Sequence, residues 1–315
     1  MVIIGIDIGG TSIKGAAVRN NGVILGQYSS EVIKGESARD TITRLINNTK
    51  TFIDGLNIDK RELCGIGIGC PGAINSVSGY VDFSNNLNWH NVPLKQMMEE
   101  SLHLPVKITN DANAAGLGEA RFGSGKQYKD VIMLTLGTGV GGAIIIDHKL
   151  YEGLEGKGAE MGHMIIELDG RSCTCGRKGC LEAYASATAL INDTKQAMLN
   201  DKDSLLWKLA EGDINKVNGK IPFDAAKAGD KTANEVINNY VKYLSEGILN
   251  YCNIFRPGAV ILSGGIAKQG SYLLEKICDY CEERYYGYKG TPKPAILTAV
   301  LGYESGMIGA ATLFF

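Results

Sequence analysis

The first eight residues, MVIIGIDI, are almost all apolar, and after Gly9 and Gly10 a second apolar run follows, SIKGAAV at 12–18. β-Branched runs on either side of a Gly-Gly turn predict a hairpin of strands. Residues 131–146, VIMLTLGTGVGGAIII, repeat the plan with a Gly/Thr turn between two apolar runs. GIDIGGTSIKGAAV and LTLGTGVGGAIII align, which suggests an internal duplication with one such turn in each half. Between the hairpins, ARDTITRLINNTKTFIDGL has helical spacing, CGIGIGCPG reads as a buried strand ending in a turn, and PVKITN feeds the helix DANAAGLGEARF. Beyond them the pattern predicts helices near 185–210 and 232–255, then a strand and Gly-Gly turn at AVILSGGI. A helix, a strand near PAILTAV and a final helix, ESGMIGAATLFF, complete the chain. Strands alternate with helices, so the fold class is α/β. A chain of 315 residues exceeds one ordinary core, and two domains are expected. No low-complexity linker separates them, and the repeat places the boundary near Gly118.

Charge changes this picture little. Lys and Arg number 32 against 34 Asp and Glu, which leaves neither a basic field for nucleic acid nor an acidic tail. The 41 glycines stand against only 7 prolines, so they serve ordered turns rather than a disordered tract. No basic leader opens the chain, and no run reaches the roughly 18 apolar residues of a membrane span. A cytoplasmic protein is expected, in a reducing compartment where clustered cysteines favour metal or redox chemistry over disulfides.

Three of the eight cysteines fall within HMIIELDGRSCTCGRKGCLE, residues 163–182. Cys173, Cys175 and Cys180 form C-x-C-G-x-x-G-C, and Gly176 and Gly179 can turn the backbone so that the sulfurs converge. With His163 as fourth donor the set satisfies tetrahedral zinc, and four protein ligands make the site closed and structural. The alternative is a reduced, metal-free loop. Glu160 and Glu182 stand at the two ends of this segment, so the ion would fix where both carboxylates point. Cys278 and Cys281 lie in a helical pattern without a second ligand pair and read as one core-facing helix side. Cys64, Cys70 and Cys252 read likewise as packed in apolar surroundings, and His90, His103 and His148 as ordinary residues.

GTGVGG from Gly137 and GIGCPG from Gly67 match G-x-G-x-x-G, yet neither opens a helix, which removes the context of a dinucleotide fold. A Walker A loop is absent, since Gln127 follows Gly125-Lys126. Gly/Thr hairpin turns still bind phosphate through bare N–H groups, with Thr11 and Thr138 adding hydroxyls. Asp7, just before the first turn, suits orientation toward Mg2+ on those phosphates, or is a polar strand position. Asp111 ends a strand and begins a helix, the crevice position of α/β proteins. There it is either an N-cap, a role Asn110 fills equally well, or a base accepting a hydroxyl proton during phosphoryl transfer.

DIGGTSIKG, GIGCPG, NDANAAGLGE, TLGTGVGG, GAEMGH, CTCGRKGCLE and ILSGGI together resemble the ROK-family sugar kinases over essentially the whole chain, most closely their bacterial ATP-dependent glucokinase branch. The resemblance implies an actin-like ATPase fold, ribonuclease H-like, with 1–118 plus 300–315 as a small domain and 119–299 as a larger one. The final helix would return to the first domain, and the nucleotide would lie in an interdomain cleft. By position, Asp111 would be the general base, and Gly72, Asn86, Asn110, Glu160, His163 and Glu182 would line the sugar pocket. ATP would use Gly9, Gly10, Thr11, Gly137, Thr138, Gly139, Gly264 and Gly265, and zinc would take His163, Cys173, Cys175 and Cys180. The implied reaction moves the γ-phosphoryl of MgATP to the 6-hydroxyl of a hexose, with glucose expected first. N-acetylglucosamine, N-acetylmannosamine, fructose or allose are alternatives. Cys70 departs from the small residue expected in GCPG but fits its size. The missing helix-turn-helix before VIIGIDIGG argues against the repressor branch, a non-catalytic sugar sensor. A homodimer or larger homo-oligomer is the family expectation.

Overall fold

The computed structural model describes residues 1–287 and 290–315. Its first half contains β1 (Val2–Ile8), β2 (Ser12–Arg19), β3 (Ile24–Glu31), α1 (Ala38–Gly55), β4 (Leu63–Cys70), β5 (Ala73–Asn75), β6 (Tyr80–Ser84) and β7 (Trp89–Val92). Then come α2 (Leu94–Leu102), β8 (Val106–Asn110), α3 (Asp111–Phe122), β9 (Val131–Leu136), β10 (Val140–Ile146) and β11 (Lys149–Tyr151). The remainder holds α4 (Glu182–Ala185), α5 (Ala187–Asn200), α6 (Leu205–Leu209), α7 (Ile221–Lys227), α8 (Lys231–Phe255), β12 (Ala259–Ser263), α9 (Ser271–Cys281), β13 (Ala295–Thr298) and α10 (Ser305–Thr312). Two five-stranded sheets share one plan, β3-β2-β1-β4-β8 and β11-β10-β9-β12-β13, each built on one of the two hairpins. The small sheet β5-β6-β7 has no counterpart in the sequence reading.

The chain divides into two compact units, Met1–Val131 with Ala143–Ala159 and Val300–Phe315, and Ile132–Gly142 with Glu160–Ala299. Gly118 lies inside α3, and residues 119–131 and 143–159 group with the first unit.

In the first unit β1 is covered on both faces, which is why its sequence is nearly unbroken in apolar residues. Val2, Ile4, Ile6 and Ile8 pack with Ile42 and Leu45 of α1 and with Ile66 and Ile68 of β4. Ile3 faces the other way, toward Ala16, Val18, Met307 and Ala311. That second face belongs to α10, and glycine sets how closely it sits. A Cβ on Gly5 would overlap the Met307 carbonyl, one on Gly67 the Ala310 carbonyl, and one on Gly309 the Ala114 carbonyl of α3. Burying Met307 and Ile308, 1% and 3% exposed, contributes roughly 2 kcal/mol apiece. A buried carboxylate fixes the approach to this helix. Glu119 Oε1 accepts the N–H groups of Val300 (2.9 Å) and Leu301 (2.7 Å), and Oε2 accepts that of Ser124 (3.1 Å).

In the second unit α8 is the longest helix among the described residues. Asp230 caps it by accepting from Ala233 N–H and also takes the Ser204 hydroxyl at 3.0 Å. Ser204 in turn caps α6, so the helical stretch expected at 185–210 is broken between Asn200 and Leu205. The thiol expectations need correction at two places. Cys281 is buried but Cys278, one turn earlier on α9, is exposed, and Cys64 is exposed as well. At the start of β4 Cys64 lies beyond the core and only its backbone belongs to the sheet. No helix among the described residues is long and apolar enough to cross a membrane.

Candidate active site

The carboxyl ends of β1, β4 and β8 lie side by side in the first unit. Asp7 pairs in register with Gly69, and Cys70 with Asn110. Asn110 caps α3: its Oδ1 accepts Ala112 N–H at 2.9 Å and Asn113 N–H at 3.4 Å, while Nδ2 donates to the Gly72 carbonyl at 3.2 Å. The capping role is therefore occupied by Asn110, and Asp111 is the first residue of the helix. Its Oδ1 accepts Ala112 N–H at 2.9 Å. Gly72 holds φ at +118°, and a Cβ there would overlap the Phe83 carbonyl, so only glycine fits that turn. Asn86 is exposed, and its Cβ lies 3.7 Å from where a Cβ on Gly10 would sit.

Burial strips water from both acids. Asp7 is pushed up to about 6, first by burial and then by the Asp111 charge, with Lys14, its register partner on β2, opposing the shift. Asp111 is raised by burial against the lowering effect of the N–H groups at the start of α3. Cys70 lies close enough to feel both charges. A carboxylate whose pKa is raised is protonated as pH falls through the raised value, so chemistry that needs the anions is lost on that side. A kcat/KM profile is expected to fall on the acid limb near pH 6, above the ordinary carboxylate range near 4. A flat profile down to pH 5 would contradict this.

Each hairpin turn exposes amide donors. In the first, Gly9 N–H closes the turn onto the Ser12 carbonyl at 2.9 Å, and the N–H groups of Gly10 and Thr11 meet no acceptor among the described residues. In the second, Gly137 N–H donates to the Gly139 carbonyl at 3.0 Å, and those of Thr138 and Gly139 are likewise unpaired. Such bare donors suit phosphate oxygens. Helix α5 braces this second turn: Ala187 N–H donates to the Gly137 carbonyl at 2.8 Å and the Thr188 hydroxyl to the Thr138 carbonyl at 2.7 Å. Gly264, with φ +89°, lies against the backbone of Leu136 where β9 ends, and Gly265 follows it.

The donor atoms of His163, Cys173, Cys175 and Cys180 all lie within 4.8 Å of one another. An ion with sulfur at about 2.3 Å and nitrogen at about 2.0–2.1 Å in a tetrahedron sets sulfurs about 3.8 Å apart, and sulfur and nitrogen about 3.6 Å apart. Cys175 Sγ and Cys180 Sγ are 3.7 Å apart, and Cys173 Sγ and His163 Nδ1 3.6 Å. A disulfide would need about 2.05 Å. Gly176 and Gly179 turn the loop at φ +89° and +79°, and the Arg177 amide N–H draws the Cys175 thiol pKa down. The cluster is thus compatible with a structural zinc. The loop also has a backbone frame: Leu181 N–H donates to the Met164 carbonyl at 2.9 Å and Ile166 N–H to that of Gly179 at 2.8 Å. Glu160 precedes the 3-10 turn Met161–His163, and Glu182 begins α4.

The first unit therefore gathers Asp7, Asn110, Asp111 and Gly72, with Asn86 beside the first turn. The second carries Glu160, the Cys/His cluster and Glu182, together with the second turn and Gly264. Sequence reasoning missed Glu119, Lys14, Thr174 and Thr188. The alternation of β2 puts Lys14 on one face with Ala16 and Val18, so that residue was within reach of the pattern.

Paired hairpins with bare Gly/Thr turns, a matching sheet on each, and half-buried acids at the strand ends define the actin-like ATPase fold. The sequence profile of the ROK family matches residues 3–315, and the chain belongs to that family. It is 36% identical to the glucokinase of Thermotoga maritima over 99% of this chain and 96% of that one. It is also 32% identical to the xylose repressor of Bacillus subtilis, over 98% of this chain and 76% of that protein. A crystal structure of a ROK family glucokinase from Streptomyces griseus with glucose and AMPPNP superposes with a TM-score of 0.82 at 34% identity, covering 99% of both chains.

Proposed function

We propose that the protein transfers the γ-phosphoryl group of MgATP to the 6-hydroxyl of glucose. The chain is a sugar kinase; the acceptor and the residue roles are the substance of the proposal. One observation carries it: Asn110 performs the capping, so the half-buried Asp111 carboxylate is available as a base. As the hexose oxygen attacks phosphorus, its proton passes to Asp111, the new O–P bond forms and the bond to the β-phosphate oxygen breaks, releasing ADP. A base of raised pKa is matched to this task at neutral pH.

The unpaired N–H groups of Gly10, Thr11, Thr138 and Gly139 bind phosphate oxygens, and Gly264 and Gly265 line the nucleotide side. Asp7 orients the magnesium that neutralises the phosphates. Asn86, Asn110, Glu160, His163 and Glu182 bind sugar hydroxyls, with Gly72 at the wall. Zinc on His163, Cys173, Cys175 and Cys180 is structural: four protein donors leave no position for water.

ADP release measured by a coupled assay across glucose, N-acetylglucosamine, N-acetylmannosamine, fructose and allose tests the reading. Glucose is expected to give the highest kcat/KM. A higher value for another hexose would reassign the acceptor. Sugar binding without ADP release from any of them would instead place the chain with the regulators.

A further inference from the structure

Glu182 begins α4 and has three partners in the second unit, one of them the Cys173 thiol, whose Sγ lies 3.7 Å from Oε1. Its Oε2 accepts Val140 N–H at 2.9 Å, the residue that follows the turn at 137–139. Its Oε1 accepts the hydroxyl of Thr174 at 3.2 Å, the residue between Cys173 and Cys175. A Cβ on Gly139 would overlap Oε2, so the carboxylate lies directly against the turn. From the same stretch of chain, Ala187 N–H and the Thr188 hydroxyl hold the carbonyls of Gly137 and Thr138. The turn is thus gripped by its carbonyls from α5 and by the next N–H from Glu182. Oε2, with a single partner, retains a further lone pair, so these contacts leave Glu182 able to take a sugar hydroxyl as well.

We propose that Glu182 is a strut between the Cys/His loop and the turn 137–139, and that Thr174 is the positioning residue that sets it. The inference rests on the reading of that turn as phosphate-binding and adds a role to it. With donors on either side of it, Thr174 has its backbone fixed when the loop is closed, and its hydroxyl then fixes one oxygen of Glu182. The other oxygen orients Val140 N–H and with it the two unpaired amides ahead of it. Phosphate affinity depends on the aim of those amides, so the state of a loop that never touches nucleotide is felt in nucleotide binding.

Calorimetric titration of the metal-loaded chain with AMPPNP, without sugar, tests this, with metal per chain measured in parallel. Thr174→Val, isosteric but without the hydroxyl, is expected to keep its metal and to weaken AMPPNP about five-fold, the net effect of one ordinary hydrogen bond. Thr174→Ser is expected to bind as the parent does. An unchanged Kd in metal-loaded Thr174→Val would overturn the proposal. Should that variant lose metal, Glu182→Gln decides: this residue is outside the donor set, and retained metal with unchanged AMPPNP affinity also overturns it. Failure of the parent chain to bind AMPPNP would refute the phosphate-turn reading itself, a result distinct from either.

Discussion

Asp111→Ala is expected to retain hexose affinity within a few-fold while kcat falls by about 10²–10⁴, the usual loss when a positioned proton acceptor is removed. The test is clean because Asn110, not Asp111, caps α3, so the helix keeps its N-terminus. The stability consequence has a definite sign. A carboxyl raised by burial favours its protonated form in the folded chain, so above the raised pKa the anion opposes folding. Asp111→Asn should therefore melt no lower than the parent at neutral pH. Thermal melts with sugar titrations would check both parts, and near-parental kcat in either variant would remove Asp111 from its role.

The second large effect concerns the Cys/His loop. Cys175 is exposed, so Cys175→Ala takes away a donor without opening a core cavity. Metal affinity should drop by at least about 100-fold, since disturbing even the groups that support a ligand costs about 10–100-fold. Without the ion the hydrogen bonds of Leu181 and Ile166 still hold the base of the loop, so the chain is expected to fold. What is lost is the setting of His163, Thr174 and Glu182. Turnover should fall in proportion to the metal lost, with a melting temperature lowered by several degrees. Metal analysis, activity and melting on one preparation would check this. Full turnover in chelated, metal-free protein would show the loop to be dispensable.

The features legible in sequence are those written in short stretches of chain. Each hairpin is announced by its own turn, and the C-x-C-G-x-x-G-C spacing brings three sulfurs together with glycines supplying the bends. Asp111 was visible as a choice between cap and base, but one-dimensional pattern could not separate it from Asn110. What the pattern could not show is that Asn110 takes the cap, its amide held by the carbonyl of Gly72, 38 residues earlier. Glu119 was invisible for a similar reason: its partners, Val300 and Leu301, are 181 and 182 residues away. The exposure of Cys64 and Cys278 was misread because neighbouring apolar residues say nothing about which side of an element a thiol occupies.

The fit of α10 over Gly5 and Gly67, and of its own Gly309 against α3, has a consequence for biosynthesis. Domains usually close in the order in which they leave the ribosome, yet here the segment that seals β1 is encoded after the whole of the second unit. The amino-terminal unit therefore waits, one side of its central strand bare, until α10 has been made, whereas the unit encoded in between can finish ahead of it.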